Sequence, residues 1–267
     1  MSDASPFASE GWFEEEVEAY ERARPSYPEA LFDDLAAYLE AGGRGAPFDA
    51  VEAGPGTGKA TASLLARGMR VTGVEHGAQM SAFLRQKFAD DARLTVIHAP
   101  FEEAPLGDAS YDTVFSATAF HWIDPAVRLV KAHRLLRDGG AIAIIDTNQI
   151  ASPVDRGFFD ACFPIYLRYR PDEKNHALFG EDVVPDFYGE IDASPLFDDV
   201  RLHRYRWDQT YPTAMYADLV RSYGRSQTMP RDEREALIAD LSDLIDADFD
   251  GYVVRPLVIT LVLGRKA

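Results

Sequence analysis

The sequence predicts an α/β fold built on a parallel sheet, and three observations carry that prediction. Between Pro47 and Asp146, short β-branched runs alternate with longer segments whose apolar residues recur every three or four positions. The first of these runs ends in a glycine-rich turn that leads directly into a helical pattern. Apolar residues make up 46% of the 267 and charged residues 27%, which suits a sizeable core and does not suit a disordered chain.

The elements follow in order. Pro28 opens a helix in which Leu31, Phe32, Leu35, Tyr38 and Leu39 form one apolar stripe, and a Gly-rich linker, 41–46, leads from it into the core. Core strands are expected at Phe48 to Ala53, Arg70 to Glu75, Arg93 to Ala99, Tyr111 to Ser116 and Ala141 to Asp146. Helices at Thr57 to Ala66, Ala78 to Ala89 and Pro125 to Leu136 fill the gaps, the last stopped by Asp138-Gly139-Gly140. Ile150 to Ser194 is rich in Pro and aromatic residues, with poor periodicity. Two further strands, Asp198 to Trp207 and Tyr252 to Leu263, flank helices at Thr213 to Tyr223 and Arg231 to Ile245. The expected organisation is a helical flank or lid over 1–44, a ligand-binding core over 45–150, a substrate-binding cap over 151–195 and a completion of the sheet over 196–267.

Charge narrows the function. With 44 Asp and Glu against 27 Lys and Arg, the net charge of −17 disfavours nucleic acid or an anionic membrane surface as partner, since both are bound through concentrated basic faces. The longest apolar run, Pro256 to Gly264, is too short to cross a bilayer, which takes about 20 residues. The single Cys162 forms no intramolecular disulfide, and the opening MSDASPFASEGWFEEE lacks a basic and then apolar leader, so a cytoplasmic location is expected. None of His76, His98, His133, His176 or His203 falls into a helical metal pair, and no metal is expected. Monomer and homodimer both stay open.

The turn itself, Val51-Glu52-Ala53-Gly54-Pro55-Gly56-Thr57-Gly58, departs from two nucleotide motifs. A phosphate-binding P-loop needs Gly at Ala53 and Ser or Thr at Ala60, and fails at both. A dinucleotide fingerprint begins well at Gly54 and Gly56 but needs a small third residue where Lys59 stands. Glu75 closes the second strand 21 positions after Gly54, the distance at which a carboxylate meets both hydroxyls of a ribose.

Glu52-x-Gly54-x-Gly56-x-Gly58 followed by Val74-Glu75 resembles the cofactor site of class I S-adenosylmethionine-dependent methyltransferases. Phe101-Glu102-Glu103-Ala104-Pro105, Tyr111-Asp112-Thr113-Val114, Ala119-Phe120-His121-Trp122-Ile123-Asp124 and Leu135-Leu136-Arg137-Asp138-Gly139-Gly140 are similar, in order and spacing, to later motifs of the small-molecule, type 11-like branch. Tyr20-Glu21-Arg22-Ala23-Arg24-Pro25-Ser26-Tyr27-Pro28 resembles that branch too, so the likeness runs from residue 20 to about 146. It implies a Rossmann-like, seven-stranded, mostly parallel sheet with helices on both faces. The last strand would be antiparallel, and a small cap would lie between the fifth and sixth strands.

The resemblance also implies roles. The turn of Gly54, Gly56 and Gly58 would lie under the methionine part of the cofactor, Glu75 would hold the ribose, and Glu52 would orient either the turn or the cofactor's ammonium. Phe101 and Glu102 would meet the adenine, although Ala99-Pro100-Phe101-Glu102 departs from the commoner Gly-Asp-Ala form. His76, Met80, Pro100, Ser116 and Ala117 complete the implied contacts. Tyr20 and Arg24 would close over the cofactor, with the arginine meeting its carboxylate. His121 is either a general base or a residue that positions the acceptor and braces Trp122. The expected reaction is methyl transfer from S-adenosylmethionine to an O, N or C atom of a small organic acceptor. A catalytically inactive S-adenosylmethionine-binding regulator is the alternative, and an NAD(P)-dependent oxidoreductase, disfavoured by Lys59, a more distant one.

Overall fold

The structure, a computed structural model, describes residues 17–173 and 178–267. The start of the expected flank, residues 174–177 of the expected cap, and His176 with them, lie outside the described residues.

The chain opens with α1 (Val17–Ala23) and α2 (Glu29–Ala41), then alternates β1 (Asp49–Ala53), α3 (Lys59–Ala66), β2 (Arg70–Glu75), α4 (Ala78–Lys87), β3 (Leu94–His98) and β4 (Tyr111–Ala117). A short 3-10 turn, Phe120–Trp122, leads to α5 (Pro125–Leu135) and β5 (Leu136–Gln149). After these come α6 (Phe158–Tyr169), α7 (Asp186–Asp192), β6 (Phe197–Pro212), α8 (Thr213–Arg221), α9 (Gly224–Gln227), α10 (Arg231–Asp248) and β7 (Tyr252–Lys266).

The seven strands form one sheet in the order β3-β2-β1-β4-β5-β7-β6. Neighbours pair in parallel from β3 to β5, and β7 runs antiparallel to both β5 and β6. This is the expected Rossmann-like fold, with the last strand inserted in reverse. Strands that follow β1 in sequence go to one side of it as far as β3, and to the other side from β4 onward. The order therefore reverses between β1 and β4, and ligands of open α/β sheets bind outside the carboxyl ends of the strands at such a point.

Alternate residues of each strand face opposite helix layers, as a sheet covered on both sides requires. On one face, Ala50, Val71, Phe115, Ala143 and Leu261 pack with Leu31, Phe32, Leu35 and Leu39 of α2 and with Leu64 of α3. On the other, Val51, Val74, Val114, Ile142 and Val262 meet Leu129, Ala132 and Leu135 of α5 and Ile191 of α7. The predicted stripe of α2 is buried throughout.

Two features differ from the sequence reading. Within the stretch of poor periodicity, α6 is a regular helix despite an internal Pro164. Its Phe158 and Cys162 join Tyr216, Leu219, Leu237 and Ile245 of α8 and α10 in a third cluster that also takes in Ala23 of α1. The last two strands are also longer than expected. β5 pairs with β7 as far as Gln149 opposite Leu257, while β6 and β7 continue together to Pro212 opposite Tyr252. The β6–β7 ribbon therefore overhangs the carboxyl edge of β5, and the third cluster forms on that overhang.

Among the described residues, no helix is long and apolar enough to cross a membrane, and no cluster of His, Cys, Asp and Glu is arranged to hold a metal.

Candidate cofactor and acceptor site

A cavity of about 810 Å³ opens at the carboxyl ends of β1 and β4, where the strand order reverses. Its floor is the glycine turn. The Gly54 N–H donates to the Val74 carbonyl (2.9 Å), and the Gly58 N–H closes the turn on the Pro55 carbonyl (2.9 Å). Gly54 has φ +71°, and a Cβ there would stand 2.5 Å from that of Ala119, so the backbone passes where no other residue fits.

Glu75 fixes the shape of this turn. One carboxylate oxygen accepts from the Gly56 N–H and the other from the Gly77 N–H, both at 2.8 Å. Burial raises its pKa, with the two backbone donors opposing the rise. Glu52, at the end of β1, is 1% exposed, and its protein partner is the Thr61 hydroxyl at 2.6 Å. Burial pushes Glu52 up to about 7, the Thr61 hydrogen bond opposes this, and the nearby Glu75 charge adds to it. Two buried carboxylates thus face one cavity, an arrangement that suits a cationic ligand.

Of the residues expected at the site, Tyr20, Arg24, Glu52, Gly54, Gly56, Glu75, His76, Met80, Pro100, Phe101, Glu102, Ala117 and His121 line this cavity. Gly58 and Ser116 lie just outside its lining. Gly58 has φ +82°, and a Cβ there would come within 2.6 Å of Leu84 and Phe88, so its role is to let α3 start against α4. The Ser116 side chain is fully buried and donates to the Ala53 carbonyl (2.9 Å), extending the β1–β4 seam.

Phe101 and Glu102, expected to meet the adenine, are held by α5. The Lys131 ammonium donates to the carbonyls of Glu102 (2.9 Å) and Ala104 (3.0 Å) and lies 5.3 Å from the Phe101 ring centroid. The Glu102 carboxylate accepts from the Asp124 N–H (2.8 Å), just ahead of the helix that Asp124 caps. Over the turn, Glu21 of α1 receives Lys87 at 2.7 Å and lies 3.8 Å from Lys59. Lys59, the residue that breaks the dinucleotide pattern, is thereby tied to the flank. Burial lowers its pKa against the pull of Glu21.

At the far end, His121 lies at the mouth, its ring 4.9 Å from that of Trp122. Partial desolvation lowers the His121 pKa, and the Asp146 carboxylate opposes the shift. Asp146, Thr147, Gln149, Tyr223 and Arg255 also line this end and were missed by the sequence reading. A signal for the first three was present, since the apolar run Ala141 to Ile145 changes abruptly into Asp146-Thr147-Asn148-Gln149 at a strand end.

Comparison with known proteins bears on what this cavity serves. Residues 51–144 match the family described as a methyltransferase domain. Residues 51–144 are thus similar to a methyltransferase domain, and the sheet is that of the class I S-adenosylmethionine-dependent methyltransferase fold. An uncharacterized methyltransferase of Mycobacterium tuberculosis is 39% identical over 129 residues, covering 48% of this chain and 49% of its own length. One of Geobacillus kaustophilus is 33% identical over 141 residues, 51% of this chain and 65% of its own. The chain spans about half the length of the first of these and about two-thirds of the second. A solved structure from Anaeromyxobacter dehalogenans, assigned as a type II methyltransferase, superposes with a TM-score of 0.59 at 23% identity, covering 91% of this chain and 97% of that one. The matched residues include the glycine turn, Glu52 and Glu75 and end before the β6–β7 overhang.

Proposed function

We propose that this chain transfers the methyl group of S-adenosylmethionine to an O, N or C atom of a small organic acceptor. The observation that carries the reading is the pairing of a glycine-floored cavity at the β1–β4 reversal with two buried carboxylates, Glu52 and Glu75, that face it. Such a donor set fits a ligand that carries positive charge together with ribose hydroxyls. When bound, S-adenosylmethionine supplies a methyl already activated on a sulfonium.

The chain's own residues hold and orient. Glu75 accepts from the ribose while it keeps the turn in shape, and Glu52 meets the ammonium with a charge-assisted contact. Phe101 and Met80 offer apolar surface, and Arg24 is placed to meet a carboxylate. The helices α6, α8 and α10, with α1, form the cover that excludes water from the acceptor. Proximity and orientation then supply most of the rate, because the leaving group needs no protonation. His121 positions the acceptor in this reading. A base is required only for an acceptor atom that carries a proton of high pKa.

Incubation of the chain with methyl-labelled S-adenosylmethionine and a metabolite extract tests the proposal. A labelled small-molecule product is expected. Cofactor binding without any labelled product from extracts of varied origin favours the inactive regulator instead.

A further inference from the structure

Arg255 lies in the overhang of β7, opposite Gln209 of β6 and two residues before the point where β5 ends at Gln149 opposite Leu257. This position puts it past the carboxyl edge of the sheet. Strand order separates it from the glycine turn by three strand spacings, roughly 14 Å across the sheet. It lines the same cavity as the turn.

Its partners are all neutral. Nε and Nη2 donate to the Gln149 side-chain oxygen at 3.1 and 2.6 Å, and Nη1 donates to the Tyr223 hydroxyl at 2.6 Å. Among the described residues no carboxylate pairs with it, in a chain where acidic residues outnumber basic ones 44 to 27. A guanidinium has five N–H donors, and the bonds to Gln149 and Tyr223 use three of them. The Gln149 amide nitrogen beside it is buried and has no acceptor, and the Tyr211 ring centroid lies 6.0 Å from the guanidinium carbon. A partly buried cation held only by neutral groups, next to a further unsatisfied donor, is costly unless an anion completes it.

We propose that Arg255, oriented by Gln149 and Tyr223, is the recognition residue for a carboxylate on the acceptor, so that the substrates are small organic acids. The inference rests on the methyl-transfer reading above and names the substrate class for that site. A planar guanidinium matches a carboxylate better than any neutral group. Arg24, on the α1 side, donates to the Ser222 hydroxyl and carbonyl, both at 3.0 Å, and is left for the cofactor's own carboxylate. In the transfer, the acceptor atom's electron pair forms the new bond to the methyl carbon. The sulfur–methyl bond breaks with its electron pair returning to sulfur, which leaves a neutral thioether.

Titrations on the full chain test this. Wild type, Arg255→Gln and Arg255→Lys are titrated first with S-adenosylhomocysteine. The loaded proteins are then titrated with a panel of small aliphatic and aromatic carboxylic acids, each beside its primary amide. All three proteins should bind S-adenosylhomocysteine alike, which also shows that the variants are folded. Wild type should take up at least one acid and not its amide. Arg255→Gln should lose that binding by at least about tenfold, the scale of a missing charge-assisted pair, while Arg255→Lys keeps part of it. The proposal is overturned if no acid binds loaded wild type, if amides bind as well as acids, or if Arg255→Gln keeps full acid affinity. It is also overturned if Arg255→Gln weakens S-adenosylhomocysteine instead, for then Arg255 serves the cofactor. Failure of wild type to bind S-adenosylhomocysteine strikes the methyl-transfer reading, and acid titration of the unloaded proteins then decides the Arg255 contact by itself.

Discussion

At the scale of single residues, the site is governed by carboxylates kept from water. Glu52 carries a clear pH signature. Its pKa in the free protein is raised to about 7, and a bound cation favours the ionised form, so cofactor affinity should be highest above pH 7 and fall as the pH drops through it. The same shift acts oppositely on the free protein. A carboxyl whose folded pKa exceeds its unfolded value holds its proton more tightly when folded, so its contribution to stability declines as pH rises from about 4.5 to 7. Glu52→Gln should remove both dependences, read by calorimetry at pH 6 and 8 and by denaturant titration; an unchanged pH profile in the variant would assign the effect elsewhere. Glu75→Ala should weaken S-adenosylhomocysteine by roughly 1 to 3 kcal/mol, since it removes charge-assisted hydrogen bonds to the ligand and frees the Gly56 and Gly77 donors that shape the turn. Equal affinity in a folded variant removes Glu75 from the site. For His121, whose lowered pKa leaves the ring neutral at pH 7, His121→Asn should recover much of the turnover lost in His121→Ala, with the loss in Ala appearing mainly in the acceptor's KM. An Asn variant as inactive as Ala, with the acid limb of the pH profile abolished, shows that the histidine is a base.

At the scale of elements, the parallel core was legible because each of its signals is local. β2 runs from Arg70 to Glu75 as its β-branched pattern indicates, and α5 begins at Asp124-Pro125 and ends at Leu135, where β5 takes over. The glycine turn was legible as a turn, but spacing alone could not tell which glycines face a ligand. Gly58 serves helix packing, and that depends on Leu84 and Phe88, far along the chain. The helix α6 was obscured by Pro164, although Phe158, Cys162, Ile165, Tyr166 and Tyr169 keep helical spacing and pack into the third cluster. The length of β6 and β7 could not be read from either strand, because each continues only where the other pairs with it. Phe158 is fully buried and meets the rings of Phe159, Tyr216 and Phe249 edge to face at 5.7, 5.1 and 5.3 Å. Phe158→Ala should therefore cost about 3 to 5 kcal/mol in equilibrium unfolding. A loss below about 1 kcal/mol would mean that the cluster collapses around the gap or is not cooperative with the sheet.

At the scale of the whole molecule, charge and topology divide the cavity into two ends. The strand reversal at β1 and β4 places Glu52 and Glu75 at one end, and the β6–β7 overhang carries Arg255 to the other. The first end was legible from the sequence because its residues fall in one short motif. The second was not, since Gln149, Tyr223 and Arg255 come from distant parts of the chain and meet only when α8, α9 and β7 fold over β5. The net charge of −17 is a sum over the whole chain and hides this local cation. The central claim is that the acidic, glycine-floored end takes S-adenosylmethionine and not a dinucleotide. Calorimetric titration of the full chain with S-adenosylhomocysteine and, separately, with NAD tests it most directly. Saturable binding of S-adenosylhomocysteine with none of NAD is the predicted result, and binding of NAD alone contradicts the account.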